Sequence, residues 1–539
     1  MPATKSQTSP AQPGPNRRWT RSGQVNVAVV VITVLAIGLR LYQLTRPQYL
    51  LGVTEYDDGT DFGSAVLLTH GYLPYRDFII VQPPGITLLM APVAAATKAL
   101  GTAWGMGVGR ILTALAGGAA AGLTGLLVRH RGLLAVILAS GIVAVYPASV
   151  QAAHTVLLEP WLVLFCLLGA LAVFNGDQLA GSWRRLVWGG LAFGFAGAVK
   201  VWAILPVLVI LVLAARQPRR ALGFAAGVLV GFVLPVLPFA ALAPRTFYNS
   251  VVLAQLVRVD VVRVTLSYRL HQMTGLTDFS SLGPVPLTIV TVAIVVLIVG
   301  CAVAATRRSG QWPRPLEQFG YGATVLTIIA FLWPADFYYH YAGFLAPFLA
   351  LAIALPVARL VATFGPGTEP GAQHRAARWL TRYSPAAASV IIVILAIIQV
   401  GFETSLQPPL APTTPGLTGT IVDQAQRVIP PGACVLADQA SYAIAANRFG
   451  SSRPGCVPMV DGVGSDYSLS QGRNAASGAQ RVPAVRALWL SALRGADYVW
   501  LSPLSYRRIP WTAREITVYF DQHFGPAPGG PFGLYVRKG

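Results

Sequence analysis

The sequence predicts a polytopic α-helical membrane protein of about eleven transmembrane helices, followed by a C-terminal extracytoplasmic α/β domain. Three observations predict it. Of 539 residues, 54% are hydrophobic and only 11% charged, against roughly 25% charge in a soluble domain. Apolar runs approaching the roughly 20 residues that cross a bilayer recur along the chain, bounded by charge or by Pro and Gly clusters. From about residue 403 the composition changes, with Gly, Pro, Asp and Ser between short apolar pieces. The formal charge of +20 raises nucleic acid as a partner. That class is excluded, because the basic residues lie singly or in pairs between apolar runs and form no stripe or Lys-rich tail.

Residues 1–24, rich in Pro, Ser, Thr and Arg, read as a disordered cytoplasmic tail. The eleven expected spans are 25–44, 107–128, 132–150, 156–174, 186–199, 202–215, 221–243, 285–305, 319–334, 342–361 and 385–402, within a membrane domain over 25–402. The fifth and sixth are short and meet at Lys200-Val201-Trp202, so they also read as one kinked element. The first span is too long for a removable signal peptide and lacks a small-residue cleavage site, which makes it an anchor. The apolar stretch 84–100 is punctuated by Pro84, Pro92 and Lys98 and reads as a helix at the membrane surface.

Orientation follows from the basic residues of short loops. With the N-terminus cytoplasmic, the inside segments hold Lys5, Arg17, Arg18, Arg21, Arg129, Arg131, Arg184, Arg185, Arg216, Arg219, Arg220, Arg307, Arg308, Arg314, Arg375, Arg378 and Arg382, opposed only by Asp177, Glu317 and Glu369. An odd number of spans then puts the C-terminus outside a plasma membrane that the chain crosses many times. In the outer domain, 403–539, strand-like pieces at 434–438, 457–461, 498–502 and 534–537 alternate with helical patterns at 439–447, 483–494 and 512–523. Cys166 and Cys301 lie in spans as small apolar residues. Cys434 and Cys456 open two expected strands where oxidation is permitted, and read either as a disulfide or as two free thiols.

The first external loop, 45–106, concentrates chemistry. Five of the twenty acidic residues, Glu55, Asp57, Asp58, Asp61 and Asp77, fall within it. Such clustering suits a solvated loop, a general base or a divalent cation site.

The order Asp57-Asp58-Gly59, a helical turn or three, Gly71-Tyr72-Leu73-Pro74-Tyr75-Arg76-Asp77-Phe78, then Gln82-Pro83-Pro84 resembles the first extracytoplasmic loop of polyprenyl-phosphate-sugar-dependent glycosyltransferases. These form the C-type (GT-C) superfamily, which includes the aminoarabinose transferases and the protein O-mannosyltransferases of glycosyltransferase family 39. Asp57 takes the family's first acidic position and Asp58 the second, where Glu is commoner. The resemblance implies a GT-C-like fold, a polyprenyl phosphate sugar as donor, and an extracytoplasmic glycan, lipid or protein as acceptor. It implies Asp57 and Asp58 as the catalytic carboxylates, Asp57 as general base.

Further positions match less specifically. Glu159 before Pro160 resembles an acid that faces the active site in the second external loop, and reads equally as a helix-start carboxylate. Arg110 and Lys200 fall where the family carries basic residues, and both phosphate binding and snorkelling to the interface account for them. Arg258, Asp260, Arg263, Arg269 and His271 lie in an amphipathic external loop, where arginines meet either a donor phosphate or membrane lipid headgroups. His340 and Tyr341, in Asp336-Phe337-Tyr338-Tyr339-His340-Tyr341, resemble the family's substrate-contacting cluster, while an aromatic belt explains the tyrosines as well. The outer domain resembles those appended to family members, and implies acceptor handling or a lid.

No motif demands a cofactor, and a divalent metal stays open with Asp57, Asp58 and Glu159 as its ligands. A phosphate leaving group needs no general acid, so one base and a set of cations suffice, and a single displacement inverts the anomeric centre. The alternative is a transporter or lipid flippase with an external domain, for which the chain shows no clear internal repeat.

Overall fold

The computed structural model describes residues 16–258, 264–276, 283–334, 336–364, 372–405, 420–502 and 511–539. Among the described residues, seven helices are long and apolar enough to cross a membrane: Ser22–Leu44, Thr102–Arg131, Pro218–Leu242, Pro284–Ser309, Pro315–Leu332, Tyr341–Ala362 and Thr381–Ser405. The helices Leu133–Val145 and Pro147–His154, bent by 59°, make an eighth if counted as one span. The expected spans 156–174, 186–199 and 202–215 form the shorter helices Leu158–Val173, Trp183–Val199 and Ile204–Ala214, of 16, 17 and 11 residues. At 1.5 Å per residue the last is only about 16 Å long, against a hydrocarbon core of about 30 Å. Length and composition therefore carry seven or eight of the eleven.

Close packing and one buried cation explain the irregular elements. Trp183–Val199 lies so near Pro218–Leu242 that a side chain at Gly190 or Gly194 would collide with the carbonyl of Phe224 or Val228. Small residues are what permit such an approach in a membrane bundle. At the 59° bend, Pro147 has no N–H to offer the Val143 carbonyl. Arg40, fully buried on the first helix, donates instead to the Val143 and Ala144 carbonyls, both at 3.1 Å. The orphaned acceptors of a broken helix are thus paired by a side chain from a neighbour.

Two of the arginines expected in the inside segments, Arg131 and Arg314, converge on one carboxylate. Asp177, on the hairpin Phe174–Leu179, accepts from His130 Nε2 and Arg131 Nε, both at 2.8 Å, and from Arg314 Nη1 at 3.2 Å. Glu317 adds Arg359 at 3.3 Å and Arg131 at 3.6 Å. Glu369 lies outside the described residues.

At the end of the bundle remote from Asp177, the C-terminal part sits on the helix Tyr56–Thr69. Gly59 lets the Ser441 backbone approach, and Thr102 Oγ1 donates to the Ile444 carbonyl at 2.7 Å. Asn447 Oδ1 accepts the Ala103 N–H at 2.9 Å, pairing a free donor at the start of the helix Thr102–Val128. Its four-stranded sheet runs in the order Val435–Ala437, Tyr498–Trp500, Leu534–Arg537, Phe524–Pro526, parallel in the first pair and antiparallel in the other two. Helices form at Ala440–Ala445, Pro483–Gly495 and Arg514–His523. The strand expected at 457–461 is absent: Asp461 caps the helix Gly462–Leu469 by accepting the Gly464 N–H at 2.7 Å. Cys434 and Cys456 form a disulfide, which decides between the two readings of that pair.

Candidate active site

The acidic stretch of the first loop folds as the helix Tyr56–Thr69, with Asp57 and Asp58 in its first turn, where the helix dipole favours carboxylates. Successive residues of a helix point about 100° apart, so the two acids part company. Asp57, with its side chain 47% exposed, faces a cavity. Asp58 turns inward and is fully buried.

The cavity lies where three broken or terminal elements meet. Glu159 opens the helix Leu158–Val173, Lys200 stands at the break after Trp183–Val199, and His340 precedes the helix Tyr341–Ala362. Glu159 Oε1 gathers the other two, with Lys200 Nζ at 2.5 Å and His340 Nδ1 at 3.0 Å. His340 Nε2 in turn lies 3.9 Å from Asp57 Oδ2. Lys200 is held from the other side by two rings, its ammonium 3.7 Å from the centroid of Trp202 and 4.6 Å from that of Tyr341. Arg258 lines the cavity too, 4.4 Å above the Tyr467 ring.

Of the residues singled out from the sequence, Asp57, Glu159, Lys200, Arg258, His340 and Tyr341 converge on this cavity. Asp58 and Arg110 do not. Arg110 donates to Asp58 Oδ2 through Nε at 3.0 Å and through Nη2, and its remaining N–H groups reach the carbonyls of Tyr49, Leu50 and Gly52 at 2.7–2.9 Å. The other Asp58 oxygen accepts the Val156 N–H at 2.8 Å. The pair pins two chain segments together and leaves no donor of Arg110 for a phosphate. Arg269 is likewise spent on the Phe331 carbonyl at 2.7 Å. Asp260 and Arg263 lie outside the described residues.

Several wall residues carry no individual role in the sequence reading. Asp61, one helical turn beyond Asp57, had its spacing as a signal. Glu55 accepts from the Tyr339 hydroxyl at 2.9 Å. Asp461, from the C-terminal part, accepts from the Tyr56 hydroxyl at 3.0 Å, and that hydroxyl accepts the Val463 N–H at 3.0 Å. Burial pushes the Asp461 carboxyl up to about 6. Burial, then the Asp57 and Glu159 charges, hold Asp61 well above the usual carboxylate range.

The three carboxylates expected to bind a metal do not converge on one point. Asp58 faces away, and Glu159 is engaged with an ammonium and an imidazole. Among the described residues, no three His, Cys, Asp or Glu side chains form a group that could hold a metal ion. The charge that can meet an anion here is that of Lys200, Arg258 and His340.

With this geometry in hand, comparisons place the fold. A family model described as glycosyltransferase family 87 matches residues 81–333, just under half the chain. No curated protein sequence matches. Among solved structures, ArnT from Cupriavidus metallidurans bound to undecaprenyl phosphate is similar with a TM-score of 0.57 at 14% identity, over 94% of this chain and 97% of that one. The apo state of the same protein gives 0.51 at 13%, over 83% and 93%. The chain thus resembles the C-type glycosyltransferases in fold as well as in its first loop.

Proposed function

We propose that this chain is a membrane glycosyltransferase that moves a hexosyl or pentosyl unit from a polyprenyl phosphate donor to a hydroxyl of an extracytoplasmic acceptor. The observation that carries it is the line Asp57, His340, Glu159, Lys200, in which a half-exposed carboxylate confronts a buried, fixed pair of cationic groups across a cavity. The family 87 match and the fold shared with a protein bound to undecaprenyl phosphate support the donor class.

The acceptor enters beside Asp57, which takes the proton from its hydroxyl as the oxygen attacks the anomeric carbon. The bond from that carbon to the phosphate oxygen breaks, and polyprenyl phosphate departs with the electron pair. Lys200, Arg258 and His340 stabilise the phosphate as its charge grows. Glu159 acts through them: by holding Lys200 and His340 at one oxygen, it aims both before the donor arrives. One displacement from the side opposite the phosphate inverts the anomeric centre. Val463, Gly464 and Tyr467 of the C-terminal part close the cavity towards that end of the bundle and limit competition from water.

In this reading the bent pair and the three shorter helices also cross the bilayer, for eleven crossings in all, with the N-terminus cytoplasmic and the α/β domain outside. The test uses the full chain in lipid nanodiscs with polyprenyl phosphate mannose, glucose or arabinose as donors. Wild type should transfer one of them with inversion. Asp57→Asn should lose about 10²–10⁴-fold in turnover while still binding donor. Retention of configuration, or full turnover in Asp57→Asn, would overturn the mechanism. Donor crossing the bilayer without transfer would favour the flippase.

A further inference from the structure

We propose that Asp61 recognises sugar: its carboxyl group binds a hydroxyl of the sugar held in the cavity, next to the reaction at Asp57. The inference rests on the glycosyltransferase reading above and adds a residue that its chemistry does not use. Asp61 follows Asp57 by four residues on the helix Tyr56–Thr69, which stacks the two carboxyls on one face. It lines the cavity, is only 6% exposed, and its Oδ2 is buried with no hydrogen-bond partner among the described residues. A buried carboxyl oxygen without a partner is costly to keep, so a ligand that fills the cavity should supply one.

The surroundings select the ligand's chemistry. The charges that act most strongly on Asp61 are Asp57 on its own helix, Glu159, the cation Lys200 and Asp461, with Arg258 and His340 elsewhere on the cavity wall. Of the helices packed against Tyr56–Thr69, Gly85–Ala95 and Ala440–Ala445 carry no charged residue. Thr102–Val128 brings Arg110, which is committed to Asp58. Three carboxylates so near disfavour a phosphate against Asp61 itself, and a phosphate belongs with Lys200, Arg258 and His340 on the cationic wall. They also favour the protonated form of Asp61. A protonated carboxyl both donates and accepts, as a hydroxyl does, so the two can satisfy each other. Ile86, Leu157 and Leu158 beside it offer an apolar wall to the carbon face of a sugar ring.

The hydroxyl belongs either to the donor sugar or to the acceptor, and the experiment separates them. Turnover is measured with whichever of polyprenyl phosphate mannose, glucose or arabinose supports wild-type transfer, with deoxy analogues of that donor, and with deoxy analogues of a short glycoside acceptor. Asp61→Ala should lower kcat/KM roughly tenfold, the scale of one lost hydrogen bond. One deoxy substrate should show a similar loss with wild type and none further with Asp61→Ala. If that substrate is in the donor series, the hydroxyl is the donor's; if in the acceptor series, the acceptor's. Asp61→Asn, which also donates and accepts, should keep most activity at neutral pH and lack any alkaline loss due to Asp61 ionising. Deoxy losses that persist undiminished in Asp61→Ala at every position overturn the assignment. So does an Asp61→Asn enzyme as impaired as Asp61→Ala. Wild-type transfer in those same assays shows that the glycosyltransferase reading survives, whereas a wild type that transfers no sugar sinks both.

Discussion

Asp58 and Arg110 form a fully buried ion pair directly behind Asp57, facing away from the cavity that Asp57 lines. Adjacent carboxylates have therefore been put to opposite uses, one towards ligand and one towards the chain itself. Removing one partner strands a buried charge, at a cost of about 3–5 kcal/mol. Arg110→Met should therefore lower the unfolding temperature sharply and reduce the yield of folded protein. Thermal unfolding in nanodiscs checks this, with Asp57→Asn as the comparison, since a half-exposed residue should change it little.

Glu159→Gln keeps the size of the side chain but removes the charge that collects Lys200 and His340. The cations remain to bind phosphate, yet nothing aims them. Turnover should fall about 10–100-fold with a much smaller change in the donor's KM. A raised KM with unchanged turnover would mean that Glu159 contributes only to binding.

Asp461 is raised from the usual 3.8 to about 6 by burial. A raised folded value means that the protonated form suits the fold, so its stabilising effect is complete below pH about 4 and is lost as pH rises through 6. At neutral pH the ionised group costs about 3 kcal/mol. Asp461→Asn keeps an oxygen for the Gly464 N–H and should raise stability at pH 7, flattening the dependence between pH 4 and 6. Unfolding temperatures across that range measure it; an unchanged pH profile would show that Asp461 does not titrate there.

The network around Asp177 lies at the end of the bundle remote from the cavity, so it offers a separation of stability from activity. Asp177→Ala should cost about 2 kcal/mol, less than a fully buried pair, because Arg314 is half exposed. At temperatures where the variant is folded, kcat/KM should match wild type.

How much of this was legible depended on how local the signal is. Apolar length and isolated charges are local, so the long spans and Asp57, Glu159, Lys200 and His340 could be found without a structure. Asp58 misled because the helical turns were expected only after Gly59; once the helix starts at Tyr56, its period separates Asp58 from Asp57 and joins Asp57 to Asp61. The strand expected at 457–461 ignored that Asp461 precedes Gly462 and Gly464 in a helix-capping position. Asp461 itself was out of reach, because its bond to Tyr56 joins residues 405 apart. The span count suffered from the same limit, since a short helix is judged by its neighbours.

That long-range bond also sets an order of events in the making of the protein. Most of the cavity lining comes from the first 341 residues, but the side around Asp461 is synthesised after the last candidate membrane helix among the described residues. A nascent chain would hold Asp57, Lys200 and His340 with that side still open to water, while Arg258 would lack the Tyr467 ring. In the proposed reading, a donor is therefore not activated until the last segment has docked.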